Sequence, residues 1–210
     1  MQVMDFRMWY YPLYRLLALT LLFLISPLLG ILYIFVKSDS PGPFIFSQKR
    51  TGKDEKPFIM YKIRTMKVGA DALKNKYIQK NEADGPVFKI LNDPRFTRVG
   101  CTLSRTGLDE LPQLWNIVKG EMSFVGPRPL PVAEAGKVPR RYKKRFSVLP
   151  GITSPWVVNG SHLLSFKAWM ELDLAYVQES SLIKDIFIMV QTAVLLLQLQ
   201  LRALGRLISS

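Results

Sequence analysis

The 210-residue sequence has one cysteine, Cys101, and one histidine, His162. A single thiol gives no intrachain disulfide framework and fits a reducing compartment. One imidazole gives little support to a zinc site or a Ser-His-Asp triad. Acid is scarce as well. Sixteen Asp and Glu face 29 Lys and Arg, for a formal net charge of +13. That excess calls for an anionic partner: nucleic acid, acidic lipid head groups or phosphorylated substrates. Helix-turn-helix, zinc and RNA-binding motifs are absent and the charge has a membrane explanation, so no nucleic acid is expected. There is no internal repeat and no low-complexity tract. A composition 49% hydrophobic and 21% charged speaks against disorder. The length suits one domain plus an appendage.

The apolar residues gather at the two ends. Leu16 to Val36, "LLALTLLFLISPLLGILYIFV", carries no charge and as a straight helix would measure about 30 Å, enough to span a bilayer. It is too long for a secretory signal and lacks a small-residue cleavage site after it. Two features oppose a straight span. Ser26-Pro27 falls in the middle, where proline removes a helical hydrogen bond. Basic residues flank both sides: Arg7 and Arg15 before, Lys37, Lys49, Arg50, Lys53 and Lys56 after. The positive-inside rule places both flanks in the cytoplasm. The expectation is a re-entrant hairpin of two arms broken at Ser26-Pro27, with the Ser26 hydroxyl a candidate partner for the freed backbone. Trp9, Tyr10 and Tyr11 suit an interfacial aromatic belt. The run from Ser181 reads as one long helix. Lys184, Asp185, Gln191, Gln198, Gln200, Arg202 and Arg206 make it interfacial rather than spanning; packing on the soluble part is the alternative.

The division expected is therefore a membrane hairpin at 1–39, a cytoplasmic catalytic domain at 40–180 and an interfacial amphipathic helix at 181–210. The fold class expected is α+β, a small, mostly helical domain with short strands. Phe44–Gln48 and Phe58–Ile63 read as strands joined by a turn at Thr51-Gly52-Lys53-Asp54. "GADALKNKYIQK" reads as a helix, "GPVFKILNDPRFTRVG" as loop and short strand with a turn at Asp93-Pro94. "DELPQLWNIVKG" is a short helix capped by Asp109, ended by Gly120, and buried through Leu111, Leu114, Trp115 and Val118. "VPRRYKKRF" reads as helical and "SFKAWMELDLAYVQ" as an amphipathic helix.

Asp109-Glu110 heads that short helix, and Gly126-Pro127-Arg128-Pro129 follows. Acidic residues are favoured at helix starts by capping and dipole alone, and Asp54-Glu55 shows the same pairing at a turn. The chemical reading differs. A carboxylate ionised at neutral pH can attack phosphorus without a general base. Its approach to a diphosphate meets repulsion of about 1 kcal/mol per charge pair at 4 Å in water, and about 4 kcal/mol at an effective dielectric of 20. Cations must offset that. A second carboxylate can hold Mg²⁺, and an arginine can grip phosphate oxygens with two donors. Asp109 then serves as nucleophile, Glu110 as magnesium ligand and Arg128 as phosphate clamp.

"SPGPFIFSQKRTGKDEKPFIMYKIRTM", "GLDELPQLWNIVKGEMSFVGPRPL", "LPGIT" and "LDLAYV" together resemble the bacterial sugar transferase family, the monotopic phosphoglycosyl transferases, over about residues 10 to 195. The resemblance implies transfer of a phosphosugar from a UDP-sugar to a polyprenyl phosphate, commonly undecaprenyl phosphate, with release of UMP. It implies a phosphosugar-aspartyl intermediate on Asp109, Mg²⁺ on Glu110, and a hairpin broken at Ser26-Pro27. It matches Lys62 to a family lysine near the dyad, Arg128 to the Pro-Arg-Pro element and Asp173 to the acidic residue of the late helix. It implies the bacterial inner membrane, with the site on the cytoplasmic face, and leaves a homodimer open.

After "LPGIT" the sequence departs from the family pattern: Ser154 stands for a glycine, Val157 for a glutamine and Ser161 for an arginine. The departures put the donor sugar in doubt. Arg105 and Arg64 are further candidates for substrate phosphate. Lys137, Arg140, Arg141, Lys143, Lys144 and Arg145 suit a face against anionic lipid. His162 reads as a loop residue and Cys101 as an ordinary small apolar one. Two other functions fit less well. A metal-dependent glycosyltransferase releasing UDP would want an Asp-x-Asp motif, and only Glu82-x-Asp84 and Glu171-x-Asp173 come near. The other is a non-enzymatic basic membrane scaffold.

Overall fold

The computed structural model describes residues 9–160 and 164–208; Arg7, Ser161 and His162 lie outside them. Helix and strand are mixed, and helix predominates. The apolar N-terminal run forms α1, Tyr11–Asp39, one helical element of 29 residues that continues through Pro27. The expected division into two helices is thus not seen in the backbone. A local reason is visible: the Ser26 hydroxyl donates to Phe23 O at 2.8 Å, and that carbonyl is the one Pro27 leaves without its usual amide partner.

The inward stripe of α1 runs along its length at helical spacing. Tyr14 and Ala18, with Tyr10 just before the helix, join a core of Phe58, Met60, Leu114, Ile117 and Phe124. Further on, Leu32 and Val36 pack with Ile63 and Leu103. Both halves of α1 therefore rest on the same body of protein. The outward side leaves Leu13, Leu16, Phe23, Leu24, Ile34 and Phe35 exposed.

A hairpin follows, β1 (Ile45–Thr51) and β2 (Pro57–Ile63), antiparallel with Ile45 opposite Ile63 and Thr51 opposite Pro57. The first strand runs three residues beyond the expected Gln48. Residues 70–80 do not form the expected α-helix. They form turns and one 3₁₀ helix, Asn75–Lys80, and that short helix buries no side chain, so no apolar face holds a longer one together. α2 (Arg98–Thr106) begins inside the stretch 85–100 expected as loop and short strand, and it starts at Thr97, whose hydroxyl accepts from Gly100 N. A 3₁₀ turn, Leu108–Glu110, leads into α3 (Gln113–Lys119), which Gly120 ends in the left-handed region. In α3 the buried side chains are Gln113, Leu114, Asn116 and Ile117, whereas Trp115, expected inside, is 47% exposed.

β3 (Ser123–Val125) pairs in parallel with β4 (Gly151–Thr153). Between them lie α4 (Val132–Ala135) and the 3₁₀ helix Arg140–Ser147. In that basic stretch Tyr142 and Arg145 are three apart and both buried, the spacing of a 3₁₀ turn. Arg145 is thus inside the protein, not on the lipid-facing surface expected for it. α5 (Pro155–Val158), α6 (Phe166–Glu179) and α7 (Leu182–Ile208) complete the chain. Tyr10, Tyr14 and Tyr176 all bring their hydroxyls to the fully buried Asp185 carboxylate, at 3.3, 3.1 and 2.6 Å. This joins the start of α1 to α6 and α7 through charge-assisted hydrogen bonds. The other face of α7 exposes Ile183, Phe187, Val190, Val194 and Leu197. By length and composition Tyr11–Asp39 and Leu182–Leu199 could each cross a bilayer.

Candidate active site

Asp109 and Glu110 lie on the 3₁₀ turn between α2 and α3, and the turn fixes them because both neighbours are anchored. Asn116 of α3, wholly buried, accepts from Tyr61 N at 3.2 Å and donates to Ile59 O at 2.7 Å. Its side chain thus replaces a strand neighbour along β2 and sets α3 against the hairpin. Lys62, next to Tyr61, is thereby brought over the acidic pair. Its Nζ donates to Glu110 Oε1 at 2.8 Å and to Asp109 Oδ2 at 3.4 Å. Arg128 Nη2 donates to the same Glu110 oxygen at 3.3 Å. The expected capping role for Asp109 has no hydrogen bond behind it; its side chain turns to Lys62 instead.

The two carboxyls have unlike surroundings. Burial pushes the Asp109 carboxyl above its ordinary value and the Glu110 charge adds to this; Lys62 and Arg128 pull the other way and do not win. Burial acts on Glu110 too, but Lys62 and Arg128, through charge and hydrogen bonds, outweigh it and hold that carboxyl well below the carboxylate range. Adjacent acids pushed apart in this manner are suited to separate tasks. Burial favours the neutral form of Asp109, and the two cations favour the charged form of Glu110.

Arg128 is held by its backbone. β3 leads directly into Gly126-Pro127-Arg128-Pro129, and the chain from "LPGIT" lies alongside. Gly126 N donates to Thr153 O and Gly151 N to Pro127 O. A Cβ on Gly126 would stand 2.3 Å from Leu149 O, and one on Gly151 only 2.1 Å from Gly126 N. The two glycines are in contact, and a side chain at either would force the segments apart. The two motifs are therefore halves of one structure. Prolines 127 and 129 donate no amide hydrogen bond, so anchoring falls on carbonyls. Arg145 Nη2 donates to Arg128 O at 2.9 Å, and Arg50 Nη1 to Pro129 O at 3.0 Å. Arg145 also directs Nε and Nη2 at Asp173 Oδ2, at 2.9 and 2.7 Å, with both side chains fully enclosed.

The structure thus gathers Lys62, Asp109, Glu110 and Arg128 into one cluster. Asp173 reaches it only through Arg145. Arg64 lies elsewhere: it donates to Ser40 Oγ, Ser40 O and Pro43 O at 2.5 to 2.8 Å and ties the end of α1 to β2. Arg105 is bonded to Asn92 Oδ1 at 3.0 Å, on the exposed side of α2. Sequence reading missed Asn116, Arg145 and Arg50. Nothing marks Arg145 among its basic neighbours, since its role comes from a partner 28 residues away. Among the described residues no group of three or more His, Cys, Asp or Glu gathers as for a closed metal site. Two adjacent carboxylates suit Mg²⁺, which takes water and substrate phosphate for its other positions. Asp109 Oδ1 and Glu110 Oε2 have no hydrogen-bond partner among the described residues.

The chain belongs to the bacterial sugar transferase family, whose model matches residues 12–199. Its relatives include the galactosyl transferase CpsE of Streptococcus agalactiae, 36% identical over 200 residues, covering 90% of this chain and 44% of the relative. The UDP-galactose-lipid carrier transferase of Erwinia amylovora is 39% identical over 180 residues, 83% of this chain and 37% of its own. The UDP-glucose:undecaprenyl-phosphate glucose-1-phosphate transferase of Escherichia coli is 41% identical over 184 residues, 84% of this chain and 37% of its own. The chain spans less than half the length of these three relatives.

Proposed function

We propose that this chain transfers a phosphosugar from a UDP-sugar to a polyprenyl phosphate and releases UMP. Supporting observations are family membership and, above all, the buried Asp109–Glu110 dyad, with Lys62 Nζ donating to both carboxylates and Arg128 Nη2 to Glu110. In the first half-reaction an Asp109 carboxylate oxygen attacks the sugar-bearing phosphorus. An acyl phosphate bond forms, and the bridging P–O bond breaks. UMP leaves with the bridging oxygen and its electron pair. In the second, an oxygen of the lipid phosphate attacks the same phosphorus and Asp109 regains its carboxylate. The polyprenyl diphosphosugar departs, the first membrane step of surface glycan assembly. This is a ping-pong sequence.

Lys62 shields the approach of one anion to another and holds Asp109 in place through Oδ2. Arg128 grips a phosphate oxygen through the guanidinium nitrogens that Glu110 does not occupy. Glu110 Oε2 would hold Mg²⁺, which would neutralise charge on the diphosphate. Asp173 acts as a positioning residue for Arg128 through Arg145.

The purified full chain with undecaprenyl phosphate, Mg²⁺ and a panel of UDP-sugars is expected to release UMP from at least one of them, and chelation by EDTA to stop it. UDP as the product would overturn phosphosugar transfer in favour of sugar transfer. No nucleotide from any donor, with lipid binding unaffected by Asp109→Asn, would favour a scaffold.

The same reading makes α1 a re-entrant membrane element and places the site at the cytoplasmic face of the bacterial inner membrane, beside the acceptor's phosphate. It is supported by Tyr14 and Ala18 near one end and Leu32 and Val36 near the other, all packed on one body. A straight crossing would put those ends on opposite sides of the bilayer. Single cysteines placed just before and after α1 are expected to resist an impermeant thiol reagent added outside intact cells. Labelling of the N-terminal position alone would establish a crossing.

A further inference from the structure

Lys89 stands close to this cluster and the mechanism above leaves it unused. It is held by its own loop. The Asn81 side chain accepts from Lys89 N at 2.7 Å and from Ala83 N at 3.3 Å, and it donates to Ala83 O and Val87 O at 3.0 Å. Glu82 N donates to Lys89 O at 2.8 Å. With its backbone fixed at both polar groups, Lys89 puts Nζ 5.4 Å from the centre of the Trp156 ring. Arg128 Cζ lies 5.6 Å from the centre of that ring. The indole is steady: it stacks on Trp169 at 4.6 Å with the planes 23° apart, and Ser154 caps the short helix that carries it.

Two cations therefore share one aromatic ring, and Lys89 Nζ forms no ion pair or hydrogen bond among the described residues. An aromatic face attracts a cation but does not neutralise it. Burial, and next the charge of Arg128, push the Lys89 ammonium below its usual value, against a smaller pull from Glu82. The half-buried Arg50 brings a further positive charge to Arg128 and is itself lowered to about 10, by burial first and then by Arg128. Such an arrangement is relieved by an anion placed among the cations.

The order of groups suggests which anion. Arg128 reaches Glu110 through Nη2 at 3.3 Å and shares the Trp156 ring with Lys89. A phosphorus presented to Asp109 within reach of Arg128 leaves Lys89 for a second phosphate attached to the first. A nucleoside diphosphate has that second phosphate; a lipid monophosphate does not. We infer that Lys89 is a phosphate-binding residue that, with Arg128 above Trp156, receives the diphosphate of the nucleotide donor and the charge that collects on departing UMP. This rests on the phosphosugar-transfer reading and adds a residue to its donor site.

The test is binding of UDP, inorganic pyrophosphate and undecaprenyl phosphate to the full chain in lipid nanodiscs with Mg²⁺. The wild type, Lys89→Met and Lys89→Arg are compared at matched melting temperature. Loss of one charge-assisted contact predicts that Lys89→Met weakens UDP and pyrophosphate about 10- to 100-fold and leaves undecaprenyl phosphate unchanged. Lys89→Arg should recover most of the affinity. Lys89→Met should also raise KM for the UDP-sugar and not for the lipid acceptor. Unchanged UDP affinity in Lys89→Met, or a wild type that binds neither UDP nor pyrophosphate, overturns the inference. Weakened undecaprenyl phosphate with unchanged UDP also overturns it and gives Lys89 to the acceptor. A wild type that binds UDP through Lys89 but releases no UMP from any UDP-sugar leaves this site standing and sinks the transfer reading instead.

Discussion

Asp109→Asn is expected to lower UMP release by at least about 10⁴-fold, the scale seen when an enzyme loses its nucleophile. The amide keeps the shape of the carboxylate but has no anionic oxygen with which to attack phosphorus. The variant should fold at least as well as the parent. Burial raises the Asp109 carboxyl above its ordinary value. A carboxyl raised on folding contributes stability while protonated, and this is lost as pH climbs through the folded value. At neutral pH the ionised group therefore costs stability, and the neutral amide does not. Loss of turnover with an unchanged or higher melting temperature is the expected pair of results. Glu110→Gln is expected to lose on the order of 10²–10³-fold, as when one charge-stabilising group is removed. UMP release without lipid acceptor should show both losses, since both residues act in the first half-reaction. Near-normal release by the Asn variant would end the covalent role.

Arg145→Met carries the second large effect. It removes both hydrogen bonds from the enclosed Asp173 carboxylate and the only donor to Arg128 O among the described residues. A buried charge left without its partner costs about 3–5 kcal/mol, which denaturant unfolding in detergent would measure. Burial raises the Asp173 carboxyl even with Arg145 beside it, so without the arginine it should take up a proton. Pairing the change with Asp173→Leu removes the stranded acid and should restore much of the stability. Activity separates the two consequences. Because Arg128 O still lacks its anchor, the double variant should keep a raised KM for the UDP-sugar after its melting temperature has recovered. Recovery of both together would make the pair purely structural.

Much of the site was legible because its members are close in sequence or belong to recognisable motifs. Asp109-Glu110 and Gly-Pro-Arg-Pro share one stretch, Gly126 coming 16 residues after Glu110, and Lys62 in "YKIRTM" lies on a strand that the short apolar run from Phe58 marks. The long-range supports were not legible. Asn116 reads as a polar residue on a short helix until β2 lies against it. Arg145 reads as one more surface cation until Asp173 arrives from α6. Arg64 shares strand parity with Lys62 yet turns to the end of α1, because the carbonyls there need a donor. Trp115 was placed inside by its apolar character, but α3 buries Asn116 and Ile117 and turns the indole outward. At Ser26-Pro27 the proline signalled a break, while the serine beside it supplies the hydrogen bond that lets the helix continue.

Everything in the proposed chemistry depends on a phosphosugar carried briefly by Asp109. The direct measurement is mass spectrometry of the intact chain quenched in acid after mixing with a UDP-sugar that yields UMP, without lipid acceptor. The account predicts a mass gain of one phosphosugar, mapped to the peptide containing Asp109, absent from Asp109→Asn and lost when undecaprenyl phosphate is added. Product formation at the full rate with no adduct on that peptide at any time would contradict it.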